Sequence, residues 1–466
     1  MSIDERGTPP TATRDAASTA ADKSRPTGWT AVRPLLMRLH FYAGVFIGPF
    51  LLIAALTGIA YIYAPNLERA VYDQELHVVD APTSLPLDRQ VDAARAVIPA
   101  DGVVKSVRPA PTGTDTTQVI YTRPGDEPSF RHTVFVDPHT GGVRGDLETY
   151  GSGQAMPLRA WIDVLHRNLH LGEPGRLYSE LAASWLWVVV TLGLVLWFSN
   201  RRARRKTFAA AAGAEPSKPV RRTRALRTKG AVGVWAAVGL FILSATGLTW
   251  SGYAGENIGA LREALSWSTP SVSSAVPPSP AGADVGLQAV RDATQRAGLA
   301  DPVEIVVPAE PGKGYVVNQV GRGLPNRLDS MAVDPATGEV TDTLRFADYP
   351  LMAKLTRWGI DGHMGLLFGW PNQVLLTLFG LGLVALVGYG YRMWWLRRPT
   401  RGRAWGRAPR RGAWRQVPPA VLVPLVLVFA ALAWAMPVFG VSLLVFLVVD
   451  LAVGYWKRVQ AEVAQY

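Results

Sequence analysis

The chain has 466 residues, 48% of them hydrophobic, and it contains no cysteine. The absence of cysteine excludes disulfides, iron–sulfur clusters and thiolate ligands or nucleophiles. The net charge of +12 is concentrated in two short segments beside apolar runs, so it does not indicate a nucleic-acid partner. Six apolar runs, the fifth only just, are long enough to cross a lipid bilayer, which predicts an integral membrane protein.

The first third of the chain alternates between polar and apolar units. Residues 1–32 lack hydrophobic periodicity and predict a disordered cytoplasmic tail. Residues 33–63 are the first predicted span, and His40 lies near its start. Residues 64–160 carry more acidic than basic side chains and mix helical with strand-like apolar spacing, which predicts an extracytoplasmic α+β domain. Within it, VDPHTGGV at 136–143 predicts a tight turn between two strands.

The next unit, residues 161–198, opens with WIDVLHRNLHLG and ends in the second predicted span. It places His166 and His170 four residues apart, on one face of any helix that forms there. Residues 199–229 are rich in Arg and Lys, with Glu215 as their only acid. Short basic loops beside spans mark the cytoplasmic side, so this loop is predicted to be cytoplasmic.

The same order of units then recurs in the second half of the chain. It comprises a third span, a second extracytoplasmic α+β domain, and a histidine-bearing segment with the fourth span, at residues 230–250, 251–355 and 356–396. VDPATGEV at 333–340 repeats the earlier VDPHTGGV at an offset of 197 residues, and the same offset carries His166 onto His363. Thr57–Gly58 likewise matches Thr246–Gly247. Both halves begin in the cytoplasm, which predicts a parallel repeat with its pseudo-two-fold axis along the membrane normal.

Two C-terminal units lie outside the repeat. Residues 397–417 form a second basic cytoplasmic loop, and residues 418–457 form a helical hairpin that supplies two spans or, as an alternative, a re-entrant pair. The expected fold is therefore a membrane all-α bundle of about six transmembrane helices, four of them in a parallel internal repeat, with two extracytoplasmic α+β domains. The N- and C-termini are both predicted to be cytoplasmic.

Four histidines lie in or beside predicted spans, where ionisable side chains are costly and usually functional: His40, His166, His170 and His363. A zinc-protease motif would need a glutamate where HRNLH has Arg167, but a structural zinc site from the last three histidines stays open. A b-type haem needs two neutral imidazoles from different helices and an apolar slot. Because the repeat carries His166 onto His363, we predict that these two ligate one haem iron.

His40 has no histidine counterpart in the second half, where Lys229 occupies the equivalent position. A second haem held by His40 would need another ligand, such as His170, Met37 or Met393. The alternative for His40 is a snorkelling residue at the membrane interface.

Arg176 could bind a haem propionate through a charge-assisted hydrogen bond, or it could anchor its span at the lipid headgroups. The remaining histidines, His77, His132 and His139, are expected to be solvated surface or turn residues.

The stretches RLHFYAGVF and LTG in the first span, LHRNLHLGEPGR before the second and the two VDPxTGxV turns resemble the PepSY-associated transmembrane family, over roughly residues 33–397. That family includes bacterial inner-membrane ferric-siderophore reductases that carry b-type haem. The resemblance implies that the two external domains are PepSY-like and that haem b, one or two per chain, is held by transmembrane histidines, which points to His40, His166, His170 and His363. The C-terminal hairpin and Lys229 depart from the family pattern.

The predicted function is that of a haem-b inner-membrane oxidoreductase that passes electrons from a cytoplasmic or membrane donor to an extracytoplasmic ferric siderophore. Reduction would release the metal, because ferrous iron is held more weakly than ferric iron by hard oxygen ligands. The sequence contains no dinucleotide-binding or P-loop motif, so the donor is expected to bind elsewhere or to be another protein. The alternative is a non-catalytic membrane module that binds or regulates a protein partner such as a peptidase.

Overall fold

The computed structural model describes residues 28–210, 220–277, 283–324, 326–396 and 412–464. Residues 1–27 of the predicted N-terminal tail, residues 211–219 of the first basic loop and residues 397–411 of the second lie outside these described residues. The described residues form twelve α-helices and eight β-strands, which are numbered below in chain order.

Six helices are long and apolar: α1 (Trp29–Val71), α5 (Glu173–Ala210), α6 (Val220–Leu248), α10 (Trp370–Leu396), α11 (Pro419–Ala435) and α12 (Pro437–Val463). By length and composition α1, α5, α10 and α12 can each cross a membrane. Helix α6 adds a fifth candidate if it is counted together with α7 (Tyr253–Ala264), from which it is bent by 86°. Helix α11 has 17 residues, short of the roughly 20 that a span needs. The described residues therefore hold four or five candidate spans rather than six.

Several predicted boundaries are wrong because the helices continue past their apolar runs. Helix α1 begins at Trp29, inside the predicted tail, while α5 extends to Ala210 and α6 begins at Val220. The described parts of the predicted loop 199–229 are therefore helical. Ala, Arg and Lys have high helix propensities, so a helix that begins in the apolar segment can continue into a basic one.

The strands form one antiparallel sheet in the order β4-β3-β2-β1-β5-β6-β7-β8. They are β1 (Val103–Arg108), β2 (Thr117–Thr122), β3 (Phe130–Val136), β4 (Val143–Tyr150), β5 (Val303–Val306), β6 (Tyr315–Gln319), β7 (Ser330–Val333) and β8 (Val340–Leu344). At its centre Ser106 lies opposite Val306, and Val107 opposite Ile305. The two α+β segments predicted from the sequence are thus joined through β1 and β5 into one continuous sheet.

Three short helices accompany the sheet: α2 (Asp73–Leu76), α3 (Leu87–Arg95) and α8 (Gly286–Arg296). Helices α3 and α8 share one hydrophobic core with both halves of the sheet, in which Val91, Val107, Val290 and Ile305 are almost completely buried. Since this core draws on both halves, neither half buries its apolar face alone. Burial of each such side chain is worth about 1.5–3 kcal/mol.

The two predicted tight turns are confirmed. The Asp137 amide donates to the Gly142 carbonyl between β3 and β4, and the Asp334 amide donates to the Glu339 carbonyl between β7 and β8. Gly141 and Gly338 occupy the left-handed region, with φ of 75° and 71°. Glycine is the residue that adopts this conformation without a steric penalty, which explains its place in both motifs.

Two helices connect the sheet to the spans. Helix α4 (Pro157–Asn168) follows β4, precedes α5 and packs on α1, while α9 (Leu351–His363) precedes α10 and packs on α6. These helices carry His166 and His363, so the fold brings both histidines to the junction between the sheet and the long helices.

Candidate functional site

His166 contacts the first long helix through a hydrogen bond. Its Nδ1 lies 2.9 Å from the Thr57 hydroxyl of α1, and its ring stacks on Tyr61 one turn further along α1, with ring centroids 6.3 Å apart. His363 makes the corresponding contacts with α6.

The His363 Nδ1 lies 2.7 Å from the Thr246 hydroxyl, and the ring packs edge-on against Trp250 with centroids 5.4 Å apart. In both cases a threonine binds the ring and the residue four positions later packs against it. Two histidines on different short helices are therefore held by the same pair of contacts.

Each threonine hydroxyl also lies within hydrogen-bond distance of a carbonyl of its own helix. The Thr57 hydroxyl is 2.9 Å from the Ile53 carbonyl, and the Thr246 hydroxyl is 2.7 Å from the Ile242 carbonyl. A hydroxyl has one proton, so when it donates to the carbonyl its oxygen accepts from the histidine Nδ1. In that arrangement the neutral imidazole keeps an unprotonated Nε2, which is the form that binds a metal.

Burial favours this neutral form. It lowers the pKa of His166 to about 4, because the charged ring would be poorly solvated. The pKa of His363 falls to about 3, first through burial and second through the proximity of His166.

A glycine beside each threonine makes room for the ring. A Cβ added at Gly58 would lie 3.2 Å from Cε1 of His166, which is tighter than an ordinary contact. At Gly247 the corresponding distance to Cε1 of His363 is 3.8 Å, an ordinary contact. The Thr–Gly pair therefore both binds the histidine and lets it approach the helix backbone, most closely at Gly58.

A group of partly exposed arginines, which no sequence pattern predicted, adjoins the histidines. Arg357 donates from Nε to Asp361 at 3.2 Å, and Nη1 of Arg322 lies 3.7 Å from the same fully buried carboxylate. Burial, followed by repulsion from Arg357, lowers the pKa of Arg322. Asp361 lies two residues before His363, and Arg322 reaches Sδ of Met364, the residue after it.

The Asp361 carboxylate is thus shared by two arginines. A third arginine, Arg159, pairs with Glu68 at 3.1 Å. An anionic group would find favourable electrostatics here, because arginine binds carboxylates through strong charge-assisted hydrogen bonds. Beside Arg322 lies a cavity of about 750 Å³, lined also by Gly323 and by residues 366–369 just beyond His363.

The predicted pairing of His166 and His170 on one helix face is wrong. Helix α4 ends at Asn168, and Leu169 and His170 have φ of 55° and 56°, which takes the chain out of the helix. His170 is exposed and packs against Trp161, with centroids 4.9 Å apart. The described residues contain no group of three His, Asp or Glu side chains placed to hold one metal ion, so they do not form the zinc site considered from the sequence.

Arg176 lies near the start of α5, with Nη1 3.8 Å from the Glu173 carboxylate and 37% of its side chain exposed. It is therefore a surface residue paired within its own helix. Arg322, which contacts Met364 next to His363, is the better positioned cation for an anion bound near the histidines.

His40 lies far from the other histidines along α1. Seventeen residues separate it from Thr57 in the sequence, which corresponds to about 25 Å along a helix. A Cβ added at Gly193 of α5 would lie 3.3 Å from Cε1 of His40, so the ring packs against the α5 backbone. Its Nδ1 is buried without a hydrogen-bond partner among the described residues. Since His170 is at the His166 level, it cannot be the second ligand beside His40.

The long apolar helices, the antiparallel sheet and the two buried histidines at their junction define a multi-pass membrane protein with a sheet domain outside its spans. The family described as the PepSY-associated TM region matches residues 37–397. That match covers more than half of the 466 residues, so the chain belongs to the PepSY-associated transmembrane family, as the resemblance predicted. No curated protein matches the chain.

Proposed function

We propose that this protein is a haem-b oxidoreductase of the bacterial inner membrane that passes electrons to an extracytoplasmic ferric chelate, most specifically a ferric siderophore. The observation that carries the proposal is the pair of histidines, His166 and His363, whose Nδ1 atoms are each hydrogen-bonded to a threonine so that Nε2 is left for a metal. Hydrogen-bond partners of this kind orient imidazoles that bind metals. When bound, haem iron would supply one-electron transfer.

The proposal gives a separate role to each group of residues around the haem. His166 and His363 would hold the haem iron through Nε2, and Arg322 with Arg357 would hold anionic groups beside it. The 750 Å³ cavity beside Arg322 is the proposed entry for the chelate. Reduction of the Fe³⁺ of the chelate to Fe²⁺, which hard oxygen ligands hold more weakly, would release the metal.

The internal repeat and the membrane orientation are part of the same proposal. The matching Thr–His contacts support two equivalent halves related by a pseudo-two-fold axis, with the joined sheet acting as a pair of PepSY-like domains. The positive-inside rule supports cytoplasmic termini and basic loops, with the sheet on the opposite side of the membrane.

The test is the optical spectrum of the purified chain, expressed with a full haem supply. We expect a Soret band and a low-spin dithionite-reduced spectrum, and we expect His166→Ala and His363→Ala each to lose most of this haem or to make it high-spin. His132→Ala, on strand β3, is the matched control. Oxidation of the reduced haem on addition of a ferric chelate tests the reaction.

Unchanged reduced spectra in both His166→Ala and His363→Ala would contradict the ligand pair. A colourless wild-type protein under full haem supply would contradict the oxidoreductase and support the partner-binding alternative.

A further inference from the structure

The C-terminal hairpin, α11 and α12, lies beyond the family match, which ends at residue 397. Helix α12 nevertheless packs against the helices on both sides of His40. Phe439 contacts Trp185 of α5, with ring centroids 4.8 Å apart, and the Trp185 Nε1 donates to the Ser442 hydroxyl at 2.9 Å. Further along, Phe446 contacts Tyr42 of α1 at 5.3 Å between centroids.

These contacts follow one helical face that ends in an ion pair. Positions 439, 442, 446 and 450 are spaced by three or four residues, so they line one side of α12. At the last position Asp450 binds Arg38 of α1 through both carboxylate oxygens, with Nε of Arg38 at 3.3 Å from Oδ2. The guanidinium also lies over the Tyr42 ring, 4.8 Å from its centroid.

The ion pair is shielded from solvent within the long helices. The Arg38 side chain is 5% exposed and the Asp450 side chain 22%. Charged side chains at such positions are costly unless they are paired, and removing one partner leaves the other uncompensated. A hairpin that served only as a lipid-facing addition would not need a charge at this position.

Arg38 precedes His40 by two residues, so the two side chains leave α1 in different directions. Arg38 is directed to α12, while His40 packs against α5 at Gly193. Helices α1 and α5 pack directly on each other around His40. Helix α12 contacts both of them, through Trp185 of α5 and through Tyr42 and Arg38 of α1, and so supports that packing.

We propose that the Arg38–Asp450 pair docks the C-terminal hairpin as part of a cofactor site at His40, with Arg38 and Asp450 as positioning residues for that histidine. The inference rests on the proposed haem function and adds to it a role for the segment outside the family match. It assigns to the hairpin the task of holding α1 against α5 where an inner haem would bind.

The experiment compares Asp450→Asn, Asp450→Glu and the double variant Arg38→Gln/Asp450→Asn with the full-length wild type. Each purified protein is assayed for haem per chain, for the low-spin spectrum and for the midpoint potential of each haem in a redox titration. Asp450→Asn should lose the inner haem or shift its midpoint potential, while the outer haem keeps its spectrum and potential. Asp450→Glu should preserve both haems, and the double variant should recover part of the inner haem because it removes both charges of the Arg38–Asp450 pair together.

Val449→Ala is the matched control, because Val449 is next to Asp450 on α12 but is 53% exposed and belongs to none of the contacts described above. Normal haem content and unchanged potentials in Asp450→Asn would overturn the inference and leave the proposed function intact. A wild type that binds only the outer haem would overturn it too. If Asp450→Asn cannot be recovered as folded protein, the double variant Arg38→Gln/Asp450→Asn is used instead. An inner haem in that variant with the content and midpoint potential of the wild type would refute the role of the pair.

Discussion

Thr57 and Thr246 each donate a hydrogen bond to their own helix and accept one from a histidine. Replacing either threonine by valine keeps the shape of the side chain but removes the acceptor. We expect Thr57→Val and Thr246→Val each to weaken haem binding by about 10-fold. Loss of a hydrogen-bond partner of a metal-ligating histidine typically costs about 10–100-fold in metal affinity. Haem titration of the apoprotein, followed at the Soret band, measures the change.

Thr191→Val is the control for this prediction. Thr191 makes the same bond to the carbonyl four residues earlier, that of Trp187 at 2.7 Å, without contacting a histidine. Equal haem affinity in Thr57→Val, Thr246→Val and the wild type would show that the threonine hydroxyls do not hold the histidines in their haem-binding form.

Gly58 and Gly247 are equivalent in the sequence but differ in the space that a methyl group would have. The Cβ of Gly58→Ala would lie 3.2 Å from Cε1 of His166, whereas that of Gly247→Ala would lie 3.8 Å from Cε1 of His363. We expect Gly58→Ala to displace the His166 ring and to make part of the haem high-spin, and Gly247→Ala to keep a low-spin spectrum. Identical spectra in the two variants would contradict this difference.

At the residue scale, the sequence predicted the pair His166 and His363 because the repeat offset relates them. The sequence could not predict Arg322. This residue lies in the loop between β6 and β7, and no spacing pattern relates that loop to helix α9, which carries His363. His170 was placed wrongly, since its position assumed a helix that Leu169 ends through a left-handed backbone conformation. Gly172 and Pro174 mark a helix end just after His170, whereas helix α4 already ends at Asn168.

At the scale of single elements, helices α3 and α8 cap each other across the two halves. The Asp88 carboxylate of α3 accepts hydrogen bonds from the amides of Leu287 and Gln288 at the start of α8. The Gln288 side chain accepts one from the Leu87 amide at the start of α3, at 2.8 Å. These bonds satisfy amides that have no partner within their own helices.

We therefore expect Asp88→Ala to destabilise the joined sheet by about 1 kcal/mol, the typical cost of losing a helix cap. In a unit of this size the loss corresponds to a Tm lower by about 2–4 °C. Thermal unfolding of the purified chain measures it. Asp92→Ala is the control, because Asp92 lies one turn further along α3 at an exposed position. It should leave Tm within about 1 °C of the wild type, as surface substitutions usually do. A larger loss of Tm in Asp92→Ala than in Asp88→Ala would exclude the capping role.

The turn between β3 and β4 carries a histidine whose role is structural. Both ring nitrogens of His139 face carbonyl oxygens, Nδ1 that of Thr83 at 2.7 Å and Nε2 that of Gly113 at 2.8 Å. Two acceptors favour the doubly protonated ring, so the carbonyls of Gly113 and Thr83 raise the pKa of His139. The second turn has Ala336 at this position.

A raised pKa in the folded state stabilises the protein at low pH. The contribution of His139 should be complete below about pH 6.5, the value for an unfolded histidine, and should be lost as the pH rises through the higher folded pKa. His139→Gln should remove this part of the pH dependence of Tm, and His77→Gln serves as the control. A pH profile of Tm that is unchanged in His139→Gln would refute the prediction.

At the element scale the six long helices, the strands and the two turns were predictable, because apolar length and alternation determine them locally. The joining of the two halves was not, since the pairing of Val107 with Ile305 depends on a contact between strands about 200 residues apart. Helix ends were also misjudged, because hydropathy records where a helix is apolar and not where its backbone stops being helical.

At the scale of the whole molecule, the two proposed haem levels lie at different heights along α1, with His40 about 25 Å from Thr57 along the helix. A hydrocarbon layer about 30 Å thick separates the two membrane surfaces, so one site beside His166 cannot readily receive electrons from the other side. His40, packed against Gly193 at the other level, is the described histidine that can hold an intermediate carrier. We therefore expect electrons to pass from a haem at His40 to the haem at His166 and His363.

His40→Ala tests this relay in inverted vesicles and in intact cells. The variant should lose about half of the haem and should no longer reduce an external ferric chelate when electrons are supplied from the cytoplasmic side. Dithionite added from outside should still reduce the remaining haem, because the ligand pair His166 and His363 is untouched. Both results together would support two separate haems. Full haem content with normal chelate reduction in His40→Ala would show that His40 has no redox role. A single haem would then have to accept its electrons at the outer surface.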